Sequence, residues 1–162
     1  MFLLATKCTQ DQRPTALYDA MVSYAKEMSK SDPGPGLRAM FIFSDGIDNA
    51  SRSSKDQTAR ALANAGIRVY AVGKEPKQDR DSKDGTKRLK QFAQNTCGKA
   101  YFPRDEKEID EAVAQIAEEL NNLFLVVYTP ADEKRGGGLH ELKVTCTKRG
   151  VSIAAPGKSL GK

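Results

Sequence analysis

Residues 37–44 read LRAMFIFS, and Met40, Phe41, Ile42 and Phe43 would place apolar side chains on both faces of an extended chain. A strand apolar on one face can lie against water, but one apolar on both needs cover on both. Such strands belong inside parallel sheets with helices above and below. This one stretch therefore excludes most all-helical and all-antiparallel architectures. It also raises a question, because the run ends directly in Ser44, Asp45, Gly46, Asp48, Asn49 and Ser51.

The neighbouring segments supply the helices. From Thr15 onward, Leu17, Ala20, Met21, Tyr24, Ala25 and Met28 recur at helical spacing, with Pro14 at the entry and Thr15 as the expected N-cap. SDPGPG at 31–36 ends that helix. A second helix is predicted from Ser53 or Ser54, with Gln57 completing a capping box and Gly66 as the stop. IRVYAVG is the next strand, KEPKQDRDSKDG a long polar loop, and Thr86 to Asn95 a third helix. KAYFP reads as a short strand. Asp105 with Glu108 then caps a fourth helix, whose inward stripe is Ile109, Ala112, Val113, Ile116, Ala117 and Leu120.

Alternation of this kind defines an α/β fold, a Rossmann-like, mostly parallel sheet with helices on both faces. Beyond Asn122 the pattern changes. LFLVVYT, LHELKVTCT and VSIAAP read as three strands of a C-terminal antiparallel β-appendage, with the three glycines 136–138 in the first connection. The expected division is 1–122, a β-rich extension over 123–157, and a frayed tail at 158–162.

The 162 residues suffice for one domain with a sizeable core, and 39% hydrophobic with 29% charged residues reads as soluble and globular. No apolar run approaches the about 18 residues of a membrane span. The start, MFLLATKCTQD, lacks the basic and long apolar regions of a signal peptide. The mature protein is then cytoplasmic, or the chain lacks its natural start. The net charge of +5 is dispersed: two basic groups, at Lys83–Lys90 and Lys134–Arg149, flank an acidic stretch from Asp105 to Glu111. Without aromatic residues interleaved among the cations, nucleic-acid binding is not expected. Cys8, Cys97 and Cys146 are scattered and form no C-x-x-C, which argues against a zinc site or a disulfide framework.

Asp45 ends a strand of an open α/β sheet, where ligands of such folds bind. Thr15 opens the helix before that strand, so its hydroxyl is expected at the same rim. A carboxylate and a hydroxyl are hard oxygen donors of the kind Mg²⁺ or Mn²⁺ takes. Read from the residues alone, helix capping by Thr15 and turning at Asp45-Gly46 outweigh metal binding. Asp48 is expected to accept hydrogen bonds from its loop, with Asn49 and Ser51 turning the chain. Other chemistries fit poorly. DRDSKDG places Asp84 and Lys90 where a calcium loop needs Gly and Glu. PGKS at 156–159 lacks the first glycine of a phosphate loop. His140, the single histidine, has no G-x-S-x-G partner motif. A phosphatase using Asp45 as nucleophile would want its second carboxylate one position before Asp48.

TALYDA at 15–20 followed by FIFSDGIDN at 41–49 resembles the von Willebrand factor type A domain. IRVYAVG, LKQFAQNTCGKAYFP, EIDEAVAQIAEELNNLFLVVYTP and HELKVTCTKRGVSIAAPGK agree in order and spacing with a related family of bacterial extracytoplasmic proteins, in which the domain runs on into a β-rich tail. The resemblance implies a protein-binding module, not an enzyme, that docks an acidic side chain of a partner through Mg²⁺ or Mn²⁺ at a metal-ion-dependent adhesion site. It assigns Thr15 and Asp45 as metal ligands, with Ser44 and Asp48 as outer-shell or loop support. It also implies an extracytoplasmic location, periplasmic or secreted.

The sequence departs from the family in one respect: it has no D-x-S-x-S motif before Thr15. The adhesion site is therefore incomplete here, with metal binding weak or absent, and a metal-free scaffold of the same fold is the alternative. The strand at Met40–Ser44 would also lack its central neighbour. MFLLA or a partner chain would pair there, or the chain is a fragment prone to self-association through an unpaired edge.

Overall fold

The strand demanded by the apolar run spans Arg38–Phe43 in the computed structural model of the chain, and neighbours flank it on both sides. The structure describes residues 2–5, 14–31, 37–75, 78–123, 139–141, 144–148 and 158–160. The chain divides into two compact units, Met1–Leu123 and Phe124–Lys162.

In the first unit the order is β1 (Phe2–Ala5), α1 (Leu17–Lys30), β2 (Arg38–Phe43), α2 (Lys55–Asn64), β3 (Ile67–Val72), α3 (Arg80–Asn95), β4 (Ala100–Tyr101) and α4 (Glu106–Asn121). The four strands form one parallel sheet in the order β1-β2-β3-β4. β2 is not an edge. β1 pairs with it from Phe2↔Met40 to Ala5↔Phe43, so of the three ways to protect that strand the chain uses its own MFLLA segment. The expected unpaired edge at β2 is thereby corrected.

Alternation along the strands sorts the core into two layers. Met40, Ile42, Ile67, Val69 and Ala71 face α1, α2 and α3, meeting Leu17, Met21, Leu62, Leu89 and Phe92. The intervening residues Tyr70 and Val72 face the other way, where Ile116 of α4 joins them. Helices thus cover both faces of a Rossmann-like parallel sheet.

Local chemistry sets most boundaries. Ser54 and Gln57 make the expected capping box at α2, and Gly66 takes the left-handed conformation (φ 62°) just after it. Asp105 caps α4 by accepting from the Glu108 N–H at 2.8 Å, but the Glu108 carboxylate turns to Arg104 rather than closing the box.

Three expectations on this unit need correction. The third helix begins at Arg80, not Thr86, because Asp79 accepts from the Ser82 N–H and starts the helix inside the supposed loop. The first helix begins at Leu17 with Ala16, not Thr15, at the N-cap position. In α4 only Ala112 and Ile116 are fully buried, while Ile109 and Val113 are exposed.

The second unit contains an antiparallel pair, β5 (Leu139–Glu141) and β6 (Lys158–Leu160), with His140 opposite Ser159. An antiparallel element was expected, but its strands are placed differently. Residues 144–147 do not continue β5. Lys158–Leu160, read from sequence as frayed tail, is the partner strand. The predicted strand LFLVVYT beyond Leu123, and the whole of VSIAAP, lie outside the described residues.

Candidate functional site

The carboxyl end of β2 runs into a loop whose polar groups are almost all committed to backbone donors. Ser44 continues the ladder, its N–H donating to the Val72 carbonyl at 3.2 Å. Its hydroxyl accepts from the Gly46 N–H at 3.1 Å, and the Asp45 carboxylate accepts from the Ile47 N–H at 3.0 Å. These two local bonds fold the chain back at Gly46, which sits at φ 77°, a conformation that favours glycine. Glycine is also required there for space. A Cβ on Gly46 would collide with the backbone of Gly85 in α3, and one on Gly85 with the Asp45 carbonyl. Two glycines thus let α3 press directly on the Asp45 turn.

The next four residues hold α1. The Asp48 Oδ1 accepts from the Leu17 N–H at 2.8 Å, lies 3.5 Å from the Tyr18 N, and accepts from the Ser51 hydroxyl at 2.6 Å. The Ser51 Oγ in turn accepts from the Asp19 N–H at 3.0 Å. The first turn of α1 has no cap of its own, so a loop more than thirty residues away supplies it. Thr15 is tied by its backbone. Its carbonyl accepts from the Asn49 and Ala50 N–H groups at 3.1 and 3.2 Å, and its N–H donates to the Asn49 Oδ1 at 2.6 Å. Asp19 returns the bond by accepting from the Arg52 and Ser53 N–H groups at 2.9 and 2.8 Å. Bonds from the Ser53 side chain and from the two backbone N–H groups hold its carboxyl below the ordinary range.

The structure therefore places Thr15, Ser44, Asp45 and Asp48 on one rim, joined through residues 48–50. Asp48 is the cap of α1, a role more specific than loop support. Asn49 and Ser51 bind α1 as well as turning the chain. Sequence reasoning passed over Asp19 and Gly85. An acid in the first turn of a helix is a signal for Asp19, whereas nothing local marks Gly85. Tyr18, buried beside this rim, packs edge-on against Phe92 with ring centroids 5.6 Å apart. Burial raises its phenol pKa, and the nearby Arg88 and Asp48 act on it in opposite directions.

Two protein oxygens, from Thr15 and Asp45, do not make a Mg²⁺ or Mn²⁺ site, because such ions dehydrate reluctantly and want more anionic ligands. Among the described residues, no group of three or more His, Cys, Asp or Glu side chains is gathered to hold a metal ion. One Asp45 oxygen and one Asp48 oxygen already accept protein N–H donors. The donor set described thus does not fit a tightly held ion.

The fold and rim define an α/β module with a stitched loop at the carboxyl end of its central strand. No family model matches the chain, and no curated protein matches it. Among solved structures, the crystal structure of the conserved hypothetical protein BatB from Bacteroides thetaiotaomicron is similar, with a TM-score of 0.49 and 15% identity. The match covers 70% of this chain and 62% of that one, so the chain spans less than two thirds of that protein's length. No helix among the described residues is long and apolar enough to cross a membrane.

Proposed function

We propose that this chain is a non-catalytic protein-binding module of the von Willebrand factor type A class, presenting the rim around Thr15 and Asp45 to a protein partner. The observation that carries the reading is the joining of the two motifs that resemble that class. TALYDA and SDGIDN are bound to each other through Asp48, Asn49 and Ser51 at one end of the sheet. The bonds fix the rim in one shape, as a docking surface requires. Since the carboxylates there serve as structural ties, docking by this chain is proposed to be metal-independent. The proposal includes an extracytoplasmic location, on the resemblance alone.

A second reading, docking of a partner's acidic side chain through Mg²⁺ or Mn²⁺, is favoured by Thr15 and Asp45 sharing the rim. Thermal melting with increasing Mg²⁺ or Mn²⁺ separates the two. Flat responses of wild type and Asp45→Ala support the metal-free reading, and a rise in wild type that Asp45→Ala abolishes supports the second. Hydrolysis of a generic aryl phosphate, lost in Asp45→Ala, would overturn both and make the protein an enzyme.

A further inference from the structure

The charges of α3 are arranged against the helix's own stability. A helix gains from acids in its first turn and bases in its last. α3 carries Arg80 and Lys83 in its first turn beside Asp81, and no base in its last. At 3.6 residues per turn, Arg80, Lys83, Lys87 and Lys90 fall within about 80° of one another, on the flank opposite the buried Gly85, Leu89 and Phe92. All four are exposed. Neighbours in this row stand three or four positions apart, where like charges repel across the helix surface. Asp84 borders the row, 3.9 Å from Arg80, and Lys83 and Lys87 have no ion pair among the described residues. The Lys90 ammonium lies 5.2 Å from the centre of the Phe102 ring. A polar loop over these positions would scatter its charges. Because Asp79 caps a helix here, the cations stand in line.

Charge and spacing identify the occupant. The row from Arg80 to Lys90 covers about 15 Å of helix. Four acids three and four positions apart on a partner helix repeat over the same length. Four acids on one face of an extended strand recur about every 6.7 Å and cover about 20 Å, so they fall out of step. α3 exposes no large apolar side chain to enter a lipid surface. No aromatic residue stands between the cations to stack on bases. A second copy is poorly matched, since Glu106 and Asp110 of α4 are followed on their flank by Val113 and Ala117. We propose that this row docks an acidic helix of a partner protein, whose Glu or Asp residues at i, i+3, i+7 and i+10 meet Arg80, Lys83, Lys87 and Lys90. Exposed ion pairs are individually weak, so the row sets the orientation and rate of encounter more than the affinity. The row starts beside the rim, since Gly85 of the same helix meets the Asp45 turn. None of its cations belongs to the rim, so peptide docking here and the metal titration can fail separately.

The probe is a fluorescein-labelled, alanine-rich helical peptide of about 18 residues with Glu at those four positions. A second peptide has the same composition with its Glu residues spread around the helix. Fluorescence anisotropy is followed at about 0.1 M salt, where the screening length is about 10 Å. The expected result is saturable binding of the first peptide and weaker binding of the second. Binding should fall about tenfold or more in Lys83→Glu/Lys87→Glu, with Lys83→Gln/Lys87→Gln in between. Lys26→Glu/Arg60→Glu, exposed positions on α1 and α2, makes the same change in net charge and should bind as wild type does. Circular dichroism checks that each variant keeps its helices. No binding, equal binding of the two peptides, or equal loss in the two Glu double variants would overturn the proposal, the last two in favour of a general attraction between net charges. So would displacement of the peptide by duplex DNA or phosphatidylglycerol vesicles at a lower charge concentration than by unlabelled peptide, since the row would then serve another class of partner.

Discussion

Replacing glycine by alanine inside a helix ordinarily stabilises a protein by about 1 kcal/mol, because the backbone loses less freedom on folding. Gly85, in the second turn of α3, should do the opposite. An added Cβ would lie under 3.0 Å from the Asp45 carbonyl oxygen and 3.1 Å from the Gly46 carbonyl carbon. Both are backbone atoms, and neither can rotate away. The Asp45 turn is held by the Ser44–Val72 ladder bond and by the two bonds that close on Gly46 and Ile47. Either α3 or this turn must retreat by about 1 Å to restore ordinary contact. Overpacking of this kind costs about 1–3 kcal/mol, and more where backbone must move. Backbone must move here, so the upper part of that range applies; less the helix gain, Gly85→Ala should destabilise by about 1–2 kcal/mol, lowering the melting temperature by roughly 2–8 °C. Gly66→Ala is the control. At φ 62° it meets nothing within 4 Å, so its cost of about 1 kcal/mol is conformational alone and leaves the rim in place. Urea denaturation followed by circular dichroism measures both. A Gly85→Ala protein more stable than wild type would refute the close approach of α3 to the Asp45 turn.

Asp48→Ala removes the acceptor for the Leu17 N–H and the Ser51 hydroxyl and should cost about 1–2 kcal/mol. Asp48→Asn, which keeps an oxygen there, should cost less, and equal denaturation midpoints for Asp48→Ala and wild type would contradict the capping role. Burial, followed by its bond to Glu119, pushes the Tyr70 phenol from 10.0 up to about 12. The neutral phenol's contribution, about 3 kcal/mol, is therefore complete below pH 10 and is lost as pH rises through about 12; an ultraviolet titration of wild type and Tyr70→Phe should differ by one phenol that ionises late. Burial alone would raise the Glu119 carboxyl, but bonds from Lys99 and Tyr70 outweigh it and lower the pKa from 4.5. Its contribution is present above pH 4.5 and should fade as pH falls through the lowered value, and a melting temperature flat across that acid range would count against it. Cys97 holds a left-handed backbone (φ 58°) just past the end of α3, so Cys97→Gly should stabilise by about 1 kcal/mol in the same denaturation assay.

The parts legible in the sequence are those whose causes are local. Helical spacing from Leu17 to Met28, the Ser54–Gln57 box and the two-faced apolar run at β2 each carry their own instruction within about a dozen residues. The misreadings share the opposite property. Residues 80–85 look like loop because a solvent-facing first turn needs no apolar residue, and Gly85 is tolerated there only because a distant turn passes beside it. Thr15 looks like a cap because Thr is a good one, yet Asp48 reaches the same N–H groups from 31 residues further along. Ile109 and Val113 have the spacing of a core stripe, but periodicity says which residues share a face, not how much of that face the sheet covers. The partner of β2 could not be settled from composition because MFLLA is too short to declare its register. The pairing at 158–160 was missed because a polar, glycine-flanked stretch gives almost no strand signal.

The candidate site divides along the same line. Residue type points to Thr15 and Asp45, because hard oxygens at a strand end suit a cation. Position decides what those oxygens do, and here the carboxylates of Asp45, Asp48 and Asp19 all accept backbone N–H donors. A helix whose first turn is open must find acceptors somewhere, and leaving those groups unsatisfied would cost about 1–3 kcal/mol each. The loop after β2 meets that need for α1. The bonds that bring the two motifs together run through Asp48, Asn49 and Ser51, beside the Thr15 and Asp45 oxygens that suit a cation. A cation that also took the Asp48 Oδ1 would loosen the cap of α1. If metal binds through Asp48, the amide protons of Leu17 and Asp19 should exchange with solvent faster in its presence, whereas a rim that docks protein directly should protect them when the partner arrives.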